Sequence, residues 1–138
     1  MKEMWDKKAS SYTRFTGEPS VFHRGLYDKI AEFGVKFENK SVVDIGCGTG
    51  VHTLLLAQIC REITGMDISG EMPKVMLEDA AKYNISNLTA MQSDFKNFNP
   101  SHVYDVAFST MSPAIADEED FVKFINLGEK RVYLWWNK

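Results

Sequence analysis

Ser41-Val42-Val43-Asp44-Ile45-Gly46-Cys47-Gly48-Thr49-Gly50 decides how the rest of this chain is read. Val42, Val43 and Ile45 form a short β-branched run, the pattern of a strand covered on both faces of a parallel sheet. Asp44 stands at the end of that strand. Gly46, Gly48 and Gly50 then leave out side chains where the backbone must turn sharply and come close to a ligand. A helix expected from Val51 to about Cys60 follows, and its first N–H groups have no partner within the helix. Strand, acid, glycine loop and helix together specify a cradle for a nucleotide-like ligand.

The spacing selects among such ligands. A dinucleotide fingerprint reads G-x-G-x-x-G, and counted from Gly46 its third glycine falls on Val51. Counted from Gly48 it fails too, because Gly50 is followed by Val51, His52 and Thr53. The string present is D-I-G-C-G-T-G, with an acid two residues before the first glycine. It resembles motif I, D-x-G-x-G-x-G, of the class I S-adenosylmethionine-dependent methyltransferases of the small-molecule type. Three further segments stand in that family's order. Glu62 to Ser69 reads as a second strand ending in Asp67, about twenty residues past the loop, where Rossmann-like units place an acid against ribose hydroxyls. Leu88 to Phe95 looks like the family's third strand, and Tyr104 to Pro113 like the fourth with its reaction-centre loop. The resemblance covers roughly residues 5 to 136.

It implies a Rossmann-like, doubly wound α/β fold with a mainly parallel sheet of strand order 3-2-1-4-5. It implies S-adenosylmethionine as cofactor and S-adenosylhomocysteine as product. By resemblance, Asp44, Gly46, Cys47, Gly48 and Gly50 support the donor's methionyl end, partly through backbone amides. The resemblance implies that Asp67 holds the ribose and Asp94 the adenine amino group, with Ile68, Ser93 and Phe95 also part of the cofactor site. A blander reading stands beside each: Asp67 and Asp94 also suit turn acids or helix N-caps. Cys47 reads as a small residue that fits between glycines, and Cys60 as core. Asp105 more simply fixes the loop before its strand.

The N-terminal Met4 to Tyr12 resembles the W-(D)-x-x-A-x-x-Y opening of many small-molecule members, which folds over the donor. Residues 1–17 are therefore expected to be a lid, with Tyr12 touching ligand. Trp5, Ala9 and Tyr12 recur at i, i+4 and i+7, the spacing of one helical face; a helix that only plugs the sheet edge fits equally. Three more helices are expected: Pro19 to Phe33, closed by Gly34; one capped by Ser69 with Pro73 in its first turn; and Asp117 to Leu127, closed by Gly128. Arg131 to Trp136 reads as a fifth strand. The family's sixth and seventh strands have no counterpart here. Residues 1–138 are thus expected to be one domain, shortened at its C-terminal end, with self-association through the strand near 131–136.

With 138 residues, 44% hydrophobic, the chain suffices for one core. A net charge of −3 gives no polyanion-binding footprint, so no obligatory nucleic-acid partner is expected. No apolar run reaches membrane-span length and no signal peptide is visible, so a cytoplasmic protein without membrane contact is expected. Two cysteines without a ligand pattern suggest neither a disulfide framework nor a metal. Ser109-Thr110-Met111-Ser112-Pro113 departs from the [N/D]-P-P-[Y/F] of family members that methylate planar amides or bases, which favours a small-molecule acceptor. No catalytic residue is assigned. His23 and His52 are conceivable bases, though lone histidines are more often structural. Two rivals stay open: a catalytically inactive donor-binding or interaction domain, and a nicotinamide-dependent oxidoreductase.

Overall fold

Five parallel strands run in the spatial order β3-β2-β1-β4-β5: β1 Ser41–Ile45, β2 Glu62–Asp67, β3 Leu88–Gln92, β4 Tyr104–Thr110 and β5 Gly128–Leu134. The computed structural model describes residues 1–135, so Trp136, assigned above to the fifth strand, lies outside the described residues. Helices α1 Lys2–Lys8, α2 Val21–Glu32, α3 Val51–Ala57, α4 Glu71–Lys82 and α5 Glu118–Ile125 complete the chain. The expected doubly wound order is the one found.

Every residue of β1 is buried, as its β-branched run requires of a central strand. Alternate strand residues divide between two layers. Val42, Ile63, Val106 and Phe108 pack against Ile30 of α2 and Leu56 and Ala57 of α3. Val43, Ile45, Met66 and Ala107 meet Phe98 and Phe124 on the other side. Each of the valine, leucine, isoleucine, methionine and phenylalanine side chains among them, fully buried, contributes about 1.5–3 kcal/mol. Polar pairs set the strand ends: Ser41 N–H donates to Asp105 Oδ2 (2.8 Å), and Asp105 N–H returns to Ser41 Oγ (3.0 Å). Asp105 therefore ties β4 to β1.

Several boundaries differ from the sequence reading. Helix α3 ends at Ala57, because the chain turns there and the amides of Ile59 and Cys60 fold back onto the Leu56 carbonyl. Helix α1 stops at Lys8, and Ala9–Ser11 form a 3₁₀ turn, so Tyr12 is extended rather than on a continuing helical face. Ala9 still packs with Met72, Val75 and Trp5. Strand β5 starts at Gly128, three residues early, because Glu129, Lys130 and Arg131 are exposed and leave no apolar signal. Gly128 is thus not the residue that closes α5, whose C-cap is Asn126. Its missing side chain answers to packing: a Cβ there would lie 2.5 Å from the Ala107 amide nitrogen and 2.6 Å from the Lys130 carbonyl oxygen.

Among the described residues β5 pairs with β4 alone. Tyr133 packs edge-on against Phe121 and Phe124, with ring centroids 5.4 and 5.8 Å away, while Trp135 is 55% exposed. Gly128→Ala should lower stability by about 1–3 kcal/mol, since the obstructing atoms are backbone and cannot rotate away. Urea unfolding should show a lower midpoint at unchanged slope; an unchanged midpoint would mean the two strands separate easily at this point.

Candidate functional site

A cavity of about 620 Å3 opens at the carboxyl ends of β1, β2 and β4, beneath the N-terminal segment. This is the crevice that a doubly wound sheet leaves where its strand order reverses. β1 and its loop bring Asp44, Gly46, Cys47 and Gly48 to the wall. β2 adds Asp67 and Ile68, and the segment after β3 adds Ser93, Asp94 and Phe95. Tyr12 closes over them. Gly50 is the one expected residue not on the wall: it turns the chain at φ 84° into α3, where a Cβ would lie 2.3 Å from Met76 Cγ.

Asp44 is 2% exposed and accepts the Thr53 hydroxyl on Oδ2 at 2.6 Å. Its Oδ1 is buried without a partner. Burial pushes the carboxyl up to about 7; the Thr53 hydrogen bond opposes that rise and nearby Asp67 adds to it. Thr53 escaped the sequence reading. Its signal was a polar residue in the apolar helix Val51-His52-Thr53-Leu54-Leu55-Leu56-Ala57, at a position that packs on the sheet. Among the described residues one other buried side-chain atom lacks a partner, Thr110 Oγ1, and Thr110 lines the same cavity. Orphaned polar atoms are uncommon in native proteins, and two in one cavity mark where a polar ligand belongs.

The glycine loop is held from within. Gly46 and Cys47 N–H groups both donate to the Met66 carbonyl (2.8 and 3.0 Å), and Gly50 N–H donates to Cys47 O (3.0 Å). Gly48 N–H donates to Asp67 Oδ2 at 2.9 Å. The loop thus offers a ligand far fewer amides than the sequence suggested. What it does offer is closeness: a Cβ on Gly48 would meet only Tyr12 Cε2, at 3.9 Å. At Gly46 the room is already taken, since a Cβ would lie 2.0 Å from Ser112 Oγ. Cys47 is buried and its thiol is pushed well up by burial, which makes it a packing residue against Gly65 rather than a nucleophile.

Asp67 also accepts Ser69 N–H on Oδ1 (2.9 Å), and burial raises its carboxyl despite these two amides. Asp94 caps the turn Phe95–Asn97, accepting Asn97 N–H (2.8 Å) and Nδ2–H (3.1 Å). Asp94 thus works as an N-cap and Asp67 as a turn acid, as the blander reading has it, while both line the cavity. Lys96 lines the wall too but is bound to Asp117 and Asp120 (3.2 and 3.0 Å). The loop after β4 is tight, with Met111 at φ 51°, an unusual conformation for a non-glycine residue.

The N-terminal segment is clipped down at three places. Asp6 Oδ1 accepts the Ser69 hydroxyl and the amides of Gly70 (3.1 Å) and Glu71 (3.2 Å), so it caps α4 from a distance in sequence. Hydrogen bonds from Lys2 and Ser69 hold its carboxyl well below the usual range. Thr49 donates its hydroxyl to the Thr13 carbonyl, and Arg14 pairs with Asp79 (2.9 Å) and Glu78 (3.2 Å). Between these clips Trp5 and Tyr12 meet edge-on at 6.1 Å, both on the cavity wall. His52 and His23 lie on the wall as well, with rings 5.1 Å apart. His52 Nδ1 is 2.7 Å from the Tyr27 hydroxyl, and burial, with His23 adding, lowers its imidazole to about 4, so it is neutral near pH 7.

Comparison with known proteins agrees with this geometry. The profile of the methyltransferase domain family matches residues 42–127. Trans-aconitate 2-methyltransferase of Escherichia coli is 32% identical over 112 residues, covering 79% of this chain and 40% of that protein. An uncharacterized RNA methyltransferase of Chlorobaculum tepidum is 35% identical over 74 residues, 54% of this chain and 15% of its own. The solved phosphoethanolamine N-methyltransferase 1 of Haemonchus contortus, in complex with phosphoethanolamine and S-adenosylhomocysteine, has a TM-score of 0.66 at 20% identity. That match covers 90% of this chain and 27% of the other. The chain spans at most about half the length of the curated relatives it matches.

The buried Asp44 carries a consequence for stability. Between its ordinary value of 3.8 and about 7 the folded protein holds a proton that the unfolded chain has released. Stability therefore falls as pH rises through that window, by on the order of a few kcal/mol. Asp44→Asn has nothing to titrate there. Thermal melts without ligand should show wild type losing ground to the variant from about pH 4 to pH 8; a constant difference would mean that Asp44 is ionised throughout.

Proposed function

The chain belongs to the methyltransferase domain family, and from that premise we propose that it transfers a methyl group from S-adenosylmethionine to a small-molecule acceptor. One observation carries this reading: three acids from the ends of three adjacent strands converge on a single cavity with the two orphaned polar atoms. The residues fit the donor. Asp44 Oδ1 has no protein partner and suits the donor's ammonium, and the side-chain-free face of Gly48 leaves room for close approach. Asp67 holds the ribose hydroxyls and Asp94 the adenine edge. Each already carries protein donors that fix its carboxylate in place.

The donor, once bound, supplies a sulfonium-activated methyl group. The protein's part is alignment and exclusion of water, and near-attack positioning is the main lever on such a transfer. Residues 1–17 form the lid in this reading, with Trp5 and Tyr12 as its inner surface. A neutral acceptor nucleophile needs no protein base. Where a proton must leave, neutral His52, held by Tyr27, is a weak acceptor at the wall.

The small-molecule class rests on the Ser109-Thr110-Met111-Ser112-Pro113 segment and the absence of a basic surface excess. The E. coli relative is named for a small acid, and the C. tepidum relative for RNA. No described helix is long and apolar enough to cross a membrane; a cytoplasmic site of action belongs to the proposal. Methyl-transfer assays with radiolabelled donor decide the acceptor class. Label in small amines, acids or thiols supports it, label in RNA overturns it, and no label anywhere favours a donor-binding domain without activity.

Two further outcomes are expected. Asp67→Asn should weaken S-adenosylhomocysteine by about 1–3 kcal/mol, as the ribose hydroxyls lose a charged acceptor. Calorimetry reads this directly, and unchanged affinity would remove Asp67 from the site. Asp6→Ala should speed S-adenosylhomocysteine release at least about tenfold in stopped-flow fluorescence of Trp5, because the lid loses its cap on α4. An unchanged rate would mean the segment does not gate the cavity.

A further inference from the structure

Among the described residues no cationic group pairs with Asp44: on the cavity wall the N-terminal ammonium of Met1 pairs with Glu3 and Lys96 is bound to Asp117 and Asp120. Asp44 and Thr110 project from the same face of neighbouring strands: the register pairs Asp44 with Phe108, and Thr110 lies two residues further along β4. Both present a buried atom without a partner. The groups that interact with the Asp44 carboxyl from the surrounding elements are neutral or acidic: Thr53 on α3, Tyr27 on α2, Cys47 in the loop and Asp67 on β2, while His52 on α3 bonds to Tyr27 and is itself neutral. His23, beyond His52, is also shifted toward its neutral form. Lys96, the basic side chain on the wall, is paired with Asp117 and Asp120. An ionised carboxylate with one hydrogen bond and no counter-charge is costly in such a place, so the empty cleft favours the acid form. A ligand with a primary ammonium group supplies the missing charge and two or three N–H donors, enough for both Asp44 Oδ1 and Thr110 Oγ1.

We propose that Asp44 and Thr110 form a proton-for-ammonium exchange site, in which binding of the ligand's ammonium expels the Asp44 proton to solvent, with Thr53 as the positioning residue that turns Oδ1 toward the cleft. The inference rests on the donor assignment above and deepens it. The balance is simple: the carboxylic acid becomes carboxylate, one proton goes to buffer, and the ammonium enters with its charge intact. Ligand loading is thereby linked to pH. Donor affinity rises about tenfold per pH unit while Asp44 is protonated in the free protein and levels off once it is ionised.

The test is calorimetry with two nucleosides in pairs of buffers of different ionisation heat. S-adenosylhomocysteine carries the ammonium; 5′-methylthioadenosine has the same adenine and ribose but lacks it. The first should release close to one proton at about pH 6 and few at about pH 8, and the second none at either. This comparison also isolates Asp67, which faces the ribose common to both. Thr110→Val should weaken S-adenosylhomocysteine about five- to tenfold and leave methylthioadenosine unchanged. Thr53→Val should weaken it similarly and shift its pH profile, and Thr53→Ser should restore both, which a purely structural role would not do. Equal proton release by the two nucleosides, or pH-independent binding of S-adenosylhomocysteine, overturns the exchange site while leaving the donor assignment standing. Failure of both nucleosides to bind overturns the donor assignment and the exchange site with it.

Discussion

Everything at the functional end of this molecule depends on one buried carboxylate and the hydroxyl that holds it. Asp44 stands next to last in the buried strand β1, between Val43 and Ile45, and Thr53 reaches it from the first turn of the next helix. The bond spans the glycine loop like a brace. It fixes where β1 ends, how α3 departs and which way the free oxygen looks. A buried carboxyl ordinarily weakens a core, and at the centre of this sheet Thr53 satisfies one oxygen of Asp44 while the other has no partner.

The loops around this brace are interlocked. The Met66 carbonyl takes two amides of the glycine loop, and Asp67 takes a third, so β2 shapes the loop that follows β1. Gly46 leaves space that Ser112 fills, so the loop after β4 is registered against the same backbone. Asp6 caps α4, which brings the N-terminal segment into the arrangement. Three strand ends and the N-terminal segment thus share one set of hydrogen bonds. The consequence is preorganisation: the cavity's acids are held by protein donors before any ligand arrives, which limits the ordering cost of binding.

Charge is distributed with the same logic. Among the described residues the strand-end acids line the cavity, while Lys96 on its wall is tied to Asp117 and Asp120. The aromatic and imidazole side chains on the remaining wall, His52 and His23 among them, are neutral or shifted that way. Among the described residues the cavity wall thus combines strand-end acids with apolar and neutral side chains.

Local signals in the sequence located β1, the glycine loop and the main helices, and the family resemblance that this motif carries supplied the strand order that the fold shows. A β-branched run, an acid and glycines at fixed spacing carry their meaning within ten residues. Tertiary structure alone decided what each residue does. Gly50 serves the turn against Met76 rather than the wall, and Gly128 makes room for the Ala107 amide rather than ending a helix. The loop amides face Met66 and Asp67 more than the cavity. Thr53, Thr110 and Asp6 were passed over because their partners lie nine or more than sixty residues away, or in Thr110's case are missing altogether. Local pattern sets which elements form, through propensity and periodicity. Which polar atoms are satisfied, and which are left for a ligand, depends on contacts between segments distant in the chain, and only the packed fold brings those together.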